Sequence, residues 1–256
     1  MQWKFHVSTS HSAQHHEHPS AAGFASTQWS LVLAAGQPGE PQSQAALEEL
    51  CRRYWVPLYA YARRRTRDVH EAQDAVQGFF SHLLEKNTVA VAEPERGRFR
   101  SFLLTAFRHF LANEHAKHST RKRGGGKSVL SLDFDLGESR FRHEPVDRMT
   151  AERLYDRQWI ATLLEGVLNQ LREAMARAGK KRQFETLVPF LSGNHDEGAY
   201  TKAATRLGIT EGAAMVAVHR LRGRYRRMLQ AEIARTLSDP GEVEDEIRHL
   251  FNCLRD

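Results

Sequence analysis

The sequence predicts an all-α protein, built as two small helical domains joined by a flexible linker. Three observations carry this expectation. Apolar residues recur at three- and four-residue steps through most of 44–237, the period of an amphipathic helix. Alternating runs of β-branched residues, the mark of strands, are scarce. One polar, glycine-containing stretch, 124–149, splits the helical segments into two groups. A chain of 256 residues, 41% hydrophobic and 27% charged, suits one or two globular domains.

Residues 1–24 are rich in His, Ser and Ala and lack apolar periodicity, so a disordered tail is expected. Five histidines there (His6, His11, His15, His16, His18) invite a metal reading, but a tail without a core offers no fixed geometry. Thr27 is placed to cap a short helix carrying Trp29, Leu31, Val32 and Leu33, and Gly36 to Pro41 break the chain after it. A first long helical pattern follows from about Gln44, with Leu47, Leu50, Cys51, Tyr54 and Leu58 in register; Pro57 is expected to end or kink it. A second, near 69–86, carries Val76, Phe79, Phe80, Leu83 and Leu84, and a third, near 98–118, carries Phe99, Phe102, Leu103, Phe107 and Phe110. After the linker, Thr150 is a candidate N-cap for a helix with Leu154, Tyr155, Trp159, Leu163, Val167 and Leu171 on its apolar side. A helix near 180–191 follows despite Pro189, then a polar loop over 192–199. Residues 200–229 read as a short helix, a tight turn at Gly208 and a longer helix, the pattern of a helix-turn-helix. Asp239-Pro240-Gly241 separates a last amphipathic helix with Val243, Ile247, Leu250 and Leu254.

Charge is concentrated in two places. The net charge is +6 and the pI about 9.5. Residues 96–127 hold nine Lys/Arg against Glu114 alone, and residues 201–230 hold seven against Glu211 alone. A single basic island is often only a solvated helix face; two in an otherwise acidic chain point to two contacts with nucleic acid. In the second island, Ala214, Val218, Leu221, Tyr225 and Met228 form one stripe, expected to pack on Ala203, Ala204 and Leu207. Thr210 is the N-cap, with Glu211 in the first turn, and the other face offers Gly212, Met215, His219, Arg220, Arg222 and Arg226 to a major groove. The first island interleaves Phe99, Phe102, Phe107 and Phe110 with Arg98, Arg100 and Arg108, which suits stacking on unpaired bases. Helical spacing assigns most of these phenylalanines to a core and leaves one or two at most for DNA.

The wording of three segments resembles a known family. LEELCRRYWVPLYAYARRRTRDVHEAQDAVQGFFSHLLEK at 47–86 is similar to region 2 of bacterial sigma factors of the extracytoplasmic-function type, whose helices read YRRY…LY.YARR and DAEDLVQEVFLRL. FRSFLLTAFRHFLANEHAKHSTRKR at 99–123 resembles the segment that follows, and YTKAATRLGITEGAAMVAVHRLRGRYRRML at 200–229 resembles region 4. The finer wording looks most like planctomycete sigma-like proteins. The resemblance implies a region 2 domain over 25–123, a linker over 124–149, a region 4 domain over 150–237 and a C-terminal extension over 238–256. It implies that Asp74, Gln77 and Phe80 dock on the clamp helices of the largest subunit of core RNA polymerase. It places Arg98, Arg100, Arg108, Asn113, Lys117, Arg121, Lys122 and Arg123 at the minus-ten promoter element, and residues 210–226 at the minus-thirty-five element. An anti-sigma factor is a further partner it leaves open. Four positions depart from the family: Gly78 stands where Glu is usual, Met215 and Ala217 where Lys and Arg are common, and Asn113 where Asp is common.

Catalytic motifs are wanting. The Gly124-Gly125-Gly126-Lys127-Ser128 run lacks the earlier glycine of a phosphate loop, since Arg121 stands there, and no strand precedes it. His70-Glu71 has Asp74 where a zinc protease needs its second histidine. Cys51 and Cys253 form neither a zinc spacing nor a disulfide framework. No enzyme activity, metal or cofactor is expected; the chemistry belongs to the polymerase. No apolar run approaches the roughly 20 residues of a membrane span, and no signal-peptide core is visible, so a cytoplasmic setting is expected. Two other functions fit parts of the pattern: a helix-turn-helix regulator acting without polymerase, and a sigma-derived protein-interaction module. A simple regulator would have no use for the 74–80 and 98–123 segments.

Overall fold

A computed structural model describes residues 41–66, 68–86, 98–118, 132–142, 149–192, 198–237 and 239–255. Among them every regular element is helical, so the all-α expectation holds. The helices are α1 (Pro41–Arg65), α2 (Val69–Lys86), α3 (Phe99–His118), α4 (Phe134–Arg142), α5 (Ala151–Arg177), α6 (Lys181–Leu187), α7 (Ala199–Leu207), α8 (Glu211–Ala234) and α9 (Val243–Arg255). The expected N-terminal tail and the helix after Thr27 lie outside the described residues.

Among the described residues, two apolar cores and a small cluster of Ala60, Phe141, Met149 and Leu154 organise the helices. The larger gathers α1, α2 and α3 together with the first two-thirds of α5, the end of α8, and α9. Its centre is aromatic: Tyr54 meets Phe99 edge-on at 5.4 Å, and Phe107 lies 4.9 Å from Phe79 and 6.0 Å from Tyr61. The most extensive helix–helix contact is between α1 and α5. The smaller core joins the end of α5 (Leu171, Met175) to Phe184, Leu187, Phe190, Ala203, Val218 and Leu221. Helices α5 and α8 therefore run as struts through both cores.

Pro57 does not break α1, which passes through it without interruption. The ring forfeits one helical hydrogen bond, a cost of about 3 kcal/mol in an exposed helix. Here Tyr54, Leu58, Tyr59 and Tyr61 around it are all buried, and large aromatic burial outweighs that loss. Pro189 has the opposite outcome. The helix expected over 180–191 stops at Leu187 and tightens into a 3-10 turn over Val188–Ser192.

The linker expectation needs correction in one segment. Within 124–149, residues Phe134–Arg142 form α4, docked on α1. Phe134 packs on Trp55 and Tyr59, with ring centroids 5.8 and 5.6 Å away. Gly137 permits the approach: a Cβ there would stand 2.8 Å from the Trp55 ring and 3.0 Å from the Tyr59 ring. Glu138 then accepts hydrogen bonds from the Tyr59 hydroxyl at 2.7 Å and from Arg63 at 2.8 and 3.2 Å. Gly137 and Glu138, within the stretch read as a linker, are the contact residues of a short helix.

Candidate nucleic-acid interface

Helices α7 and α8 and the tight turn between them, over the segment that reads as a helix-turn-helix, form from local chemistry. Helix α7 ends at Gly208, whose left-handed φ of 70° suits a residue without a Cβ, and the Ile209 amide returns to the Ala204 carbonyl at 3.1 Å. Thr210 caps α8, its hydroxyl accepting from the Ala213 amide at 3.2 Å. Ala214, Val218 and Leu221 are buried, with Tyr225 and Met228 partly so, against Ala203 and Leu207, as the stripe predicts.

The opposite face differs in part from the one read in the sequence. Thr210, Glu211, Gly212, Met215, His219, Arg220 and Arg226 are exposed. Arg222 is not free: its guanidinium donates twice to the Phe190 carbonyl, at 3.1 and 2.7 Å. It satisfies the 3-10 turn, whose carbonyls have no helical partner. Arg226 leans on Glu244 of α9 at 3.3 Å. Val216, absent from the sequence-based set, is 49% exposed, and Met215 beside it is 46% exposed. Val216 falls on the outward line Gly212–Val216–His219, a four-then-three step that could have singled it out. Arg227 is exposed as well.

The first island divides more sharply. Arg108 and Asn113 are exposed on α3 and open to a strand. The Lys117 side chain and residues Arg121, Lys122 and Arg123 lie outside the described residues. Arg100 does not meet the expectation of a DNA contact in this arrangement: it is 4% exposed and bonded to Glu246, itself 0% exposed. Asp156 lies 3.5 Å from it and the Trp159 ring 4.8 Å away, stacked under the guanidinium. Burial pushes the Asp156 carboxyl above its usual range, while the Arg100 charge pulls the other way. Arg98, half exposed, pairs with the same Glu246 at 2.7 Å. Phe99 and Phe107 are core residues, whereas Phe102 and Phe110 are only partly covered.

On α2, Asp74 is exposed and Gln77 half-buried, so both can meet a partner. Phe80 cannot in this arrangement: it is 2% exposed and packed 5.8 Å from Phe79, because it shares the inner face with Val76 and Leu83. Gly78 has a packing role. A Cβ there would approach the Phe110 ring to 3.2 Å, so the missing side chain lets α2 and α3 close up.

Sequence reasoning missed Glu246. The signal was present: it is an acid on the apolar stripe of Val243, Ile247, Leu250 and Leu254. Only its burial shows that it meets arginines about 146 positions away. Among the described residues no His, Cys, Asp or Glu cluster could hold a metal ion, and no helix is long and apolar enough to cross a membrane.

Residues 50–121 match the family model of Sigma-70 region 2. The match covers α1 from Leu50 onward, α2, α3 and the first basic island as far as Arg121, and supports a sigma factor in transcription initiation. No curated protein and no solved structure gives a significant match.

Proposed function

We propose that this protein is a cytoplasmic sigma factor of the extracytoplasmic-function type, in a planctomycete-like subgroup. It binds core RNA polymerase, directs it to a two-element promoter and helps open the DNA. The observation that carries this is the Sigma-70 region 2 match over 50–121, on helices that expose Asp74, Arg108 and Asn113 and leave Gln77 half-buried. Asp74 and Gln77 meet the clamp helices of the polymerase. Arg108 and Asn113, with Lys117, Arg121, Lys122 and Arg123, follow the minus-ten strand. The helix-turn-helix of the 150–237 module lies in the major groove at minus-thirty-five, and an anti-sigma factor is a natural antagonist.

This reading requires two arrangements of the chain. Elements about 25 base pairs apart lie about 85 Å apart along the duplex. A compact body of some 200 residues has a radius of gyration of about 16 Å. To engage both elements, α1 must part from α5, and Arg98 and Arg100 must leave Glu246. The packed form is then the resting state, in which part of the minus-ten surface is occupied by α9.

Run-off transcription with purified core polymerase tests the proposal. The full chain is expected to co-elute with core enzyme and to yield a discrete transcript, and Asp74→Ala with Gln77→Ala to lower co-elution. Duplex binding without co-elution would instead identify a polymerase-independent regulator. Neither activity would leave a protein-interaction module.

A further inference from the structure

We infer that the outward face of α8 selects its DNA site through the methyl groups of thymine, contacted by Met215 and Val216. The inference rests on the reading that α8 enters the major groove. Its ground is the set of side chains at the leading end of the helix. Over residues 211–218 the exposed positions are Glu211, Gly212, Ala213, Met215 and Val216. None carries a hydrogen-bond donor, and the Glu211 carboxylate is already engaged by the Thr201 hydroxyl at 2.9 Å. The first side-chain donors along the helix are His219 and Arg220, two turns in.

Bidentate recognition of guanine needs Arg or Lys, and that of adenine needs Asn or Gln. Neither type stands at the leading turns of α8. What stands there is apolar: Met215 and Val216, nearly half exposed, with Ile209 at the turn before them. Thymine alone among the four bases presents an apolar group, its 5-methyl, in the major groove. Gly212, whose missing Cβ would meet nothing within 4 Å, lets the bases approach close to the helix. The surround argues for DNA rather than a protein partner. Lys202 and Arg206 on α7 and Arg220 and Arg227 on α8 are exposed, and Glu211 is the only acid between 201 and 230. The arginines hold phosphates, and the methyl contacts choose the register.

The test uses the full chain bound to core polymerase and a pool of duplexes randomised over the minus-thirty-five region. In each selected site, every thymine is replaced in turn by deoxyuridine, which removes the methyl and keeps the base pair. One or two positions are expected to lose about fourfold in affinity each, the effect of one buried methyl. Val216→Ala and Met215→Ala should each erase the loss at one of those positions. Both residues are exposed, so unfolding curves of the variants should overlay that of the parent. A specific site indifferent to deoxyuridine, or variants that keep the full difference, would overturn the methyl reading alone. Failure to select any duplex would overturn the promoter reading with it.

Discussion

Replacing Glu138 by Gln should reveal how much holds the linker helix to α1. The carboxylate is 13% exposed and faces Arg63, itself nearly buried, in a two-pronged pair at 2.8 and 3.2 Å. The Tyr59 hydroxyl adds a bond at 2.7 Å and Arg142 a weaker one at 3.2 Å. Arg63 is the main reason the carboxyl is held down from 4.5 to about 2; burial opposes it, and Tyr59 and Arg142 assist. A depression of that size corresponds to about 3 kcal/mol favouring the folded, ionised form. The pKa is lower in the folded state, so this contribution is complete above about pH 4.5 and is lost as pH falls toward about 2. Glutamine has the shape of the carboxyl without its charge and stands in for the protonated state. Urea unfolding of parent and variant should therefore differ by about 3 kcal/mol at pH 7, with the gap closing between pH 4.5 and 2. Amide exchange over 134–142 should accelerate in the variant at neutral pH. Other carboxylates titrate equally in both proteins and cancel in the difference. A gap below about 1 kcal/mol at pH 7, or one unchanged at pH 2.5, would refute the docking argument.

Gly137→Ala should destabilise the protein by about 1 kcal/mol or more, because crowding of about 1–3 kcal/mol against Trp55 exceeds the helix preference of alanine. Gly166→Ala, which meets nothing within 4 Å, should stabilise by about 0.5–1 kcal/mol; thermal melts compare the two. Arg222→Ala should lower stability by about 1–2 kcal/mol through the unpaired Phe190 carbonyl, whereas Arg220→Ala should weaken DNA binding with no change in melting. Arg100→Met should cost about 1–3 kcal/mol, because it leaves the buried Glu246 with only the partly exposed Arg98, and adding Glu246→Leu should recover most of it in denaturant titrations. An Arg100→Met loss that the second change leaves untouched would mean that the pair contributes little.

Periodicity made the helices legible, and special residues blurred only their edges. Thr150 and Thr210 cap as read, since an N-cap depends on a few neighbouring residues. Pro57 does not end α1, because its cost is local while the compensation comes from helices distant in sequence. Helix α4 was hidden for a related reason. Nine residues are too few to be stable alone, and its Gly, Asp and Glu resemble loop chemistry until Trp55 and Arg63 are placed beside them. In the site, the residue types on the outward face of α8 were legible, but not which of them were already occupied. Arg222, Arg226 and Arg100 look alike in a sequence. One props a turn, one leans on α9 and one is buried against Glu246.

The sequence by itself determined the helical class, the two basic islands, the paired helices α7 and α8 with their caps, and the segments that resemble sigma regions. These follow from patterns within a few turns of chain, where local spacing controls the outcome. Only the tertiary structure decided which cations remain available, that part of the linker is a docked helix, and that α9 brings a buried acid to arginines from the first island. Each of these depends on burial, and burial is set by partners far away in the chain, which no local pattern encodes.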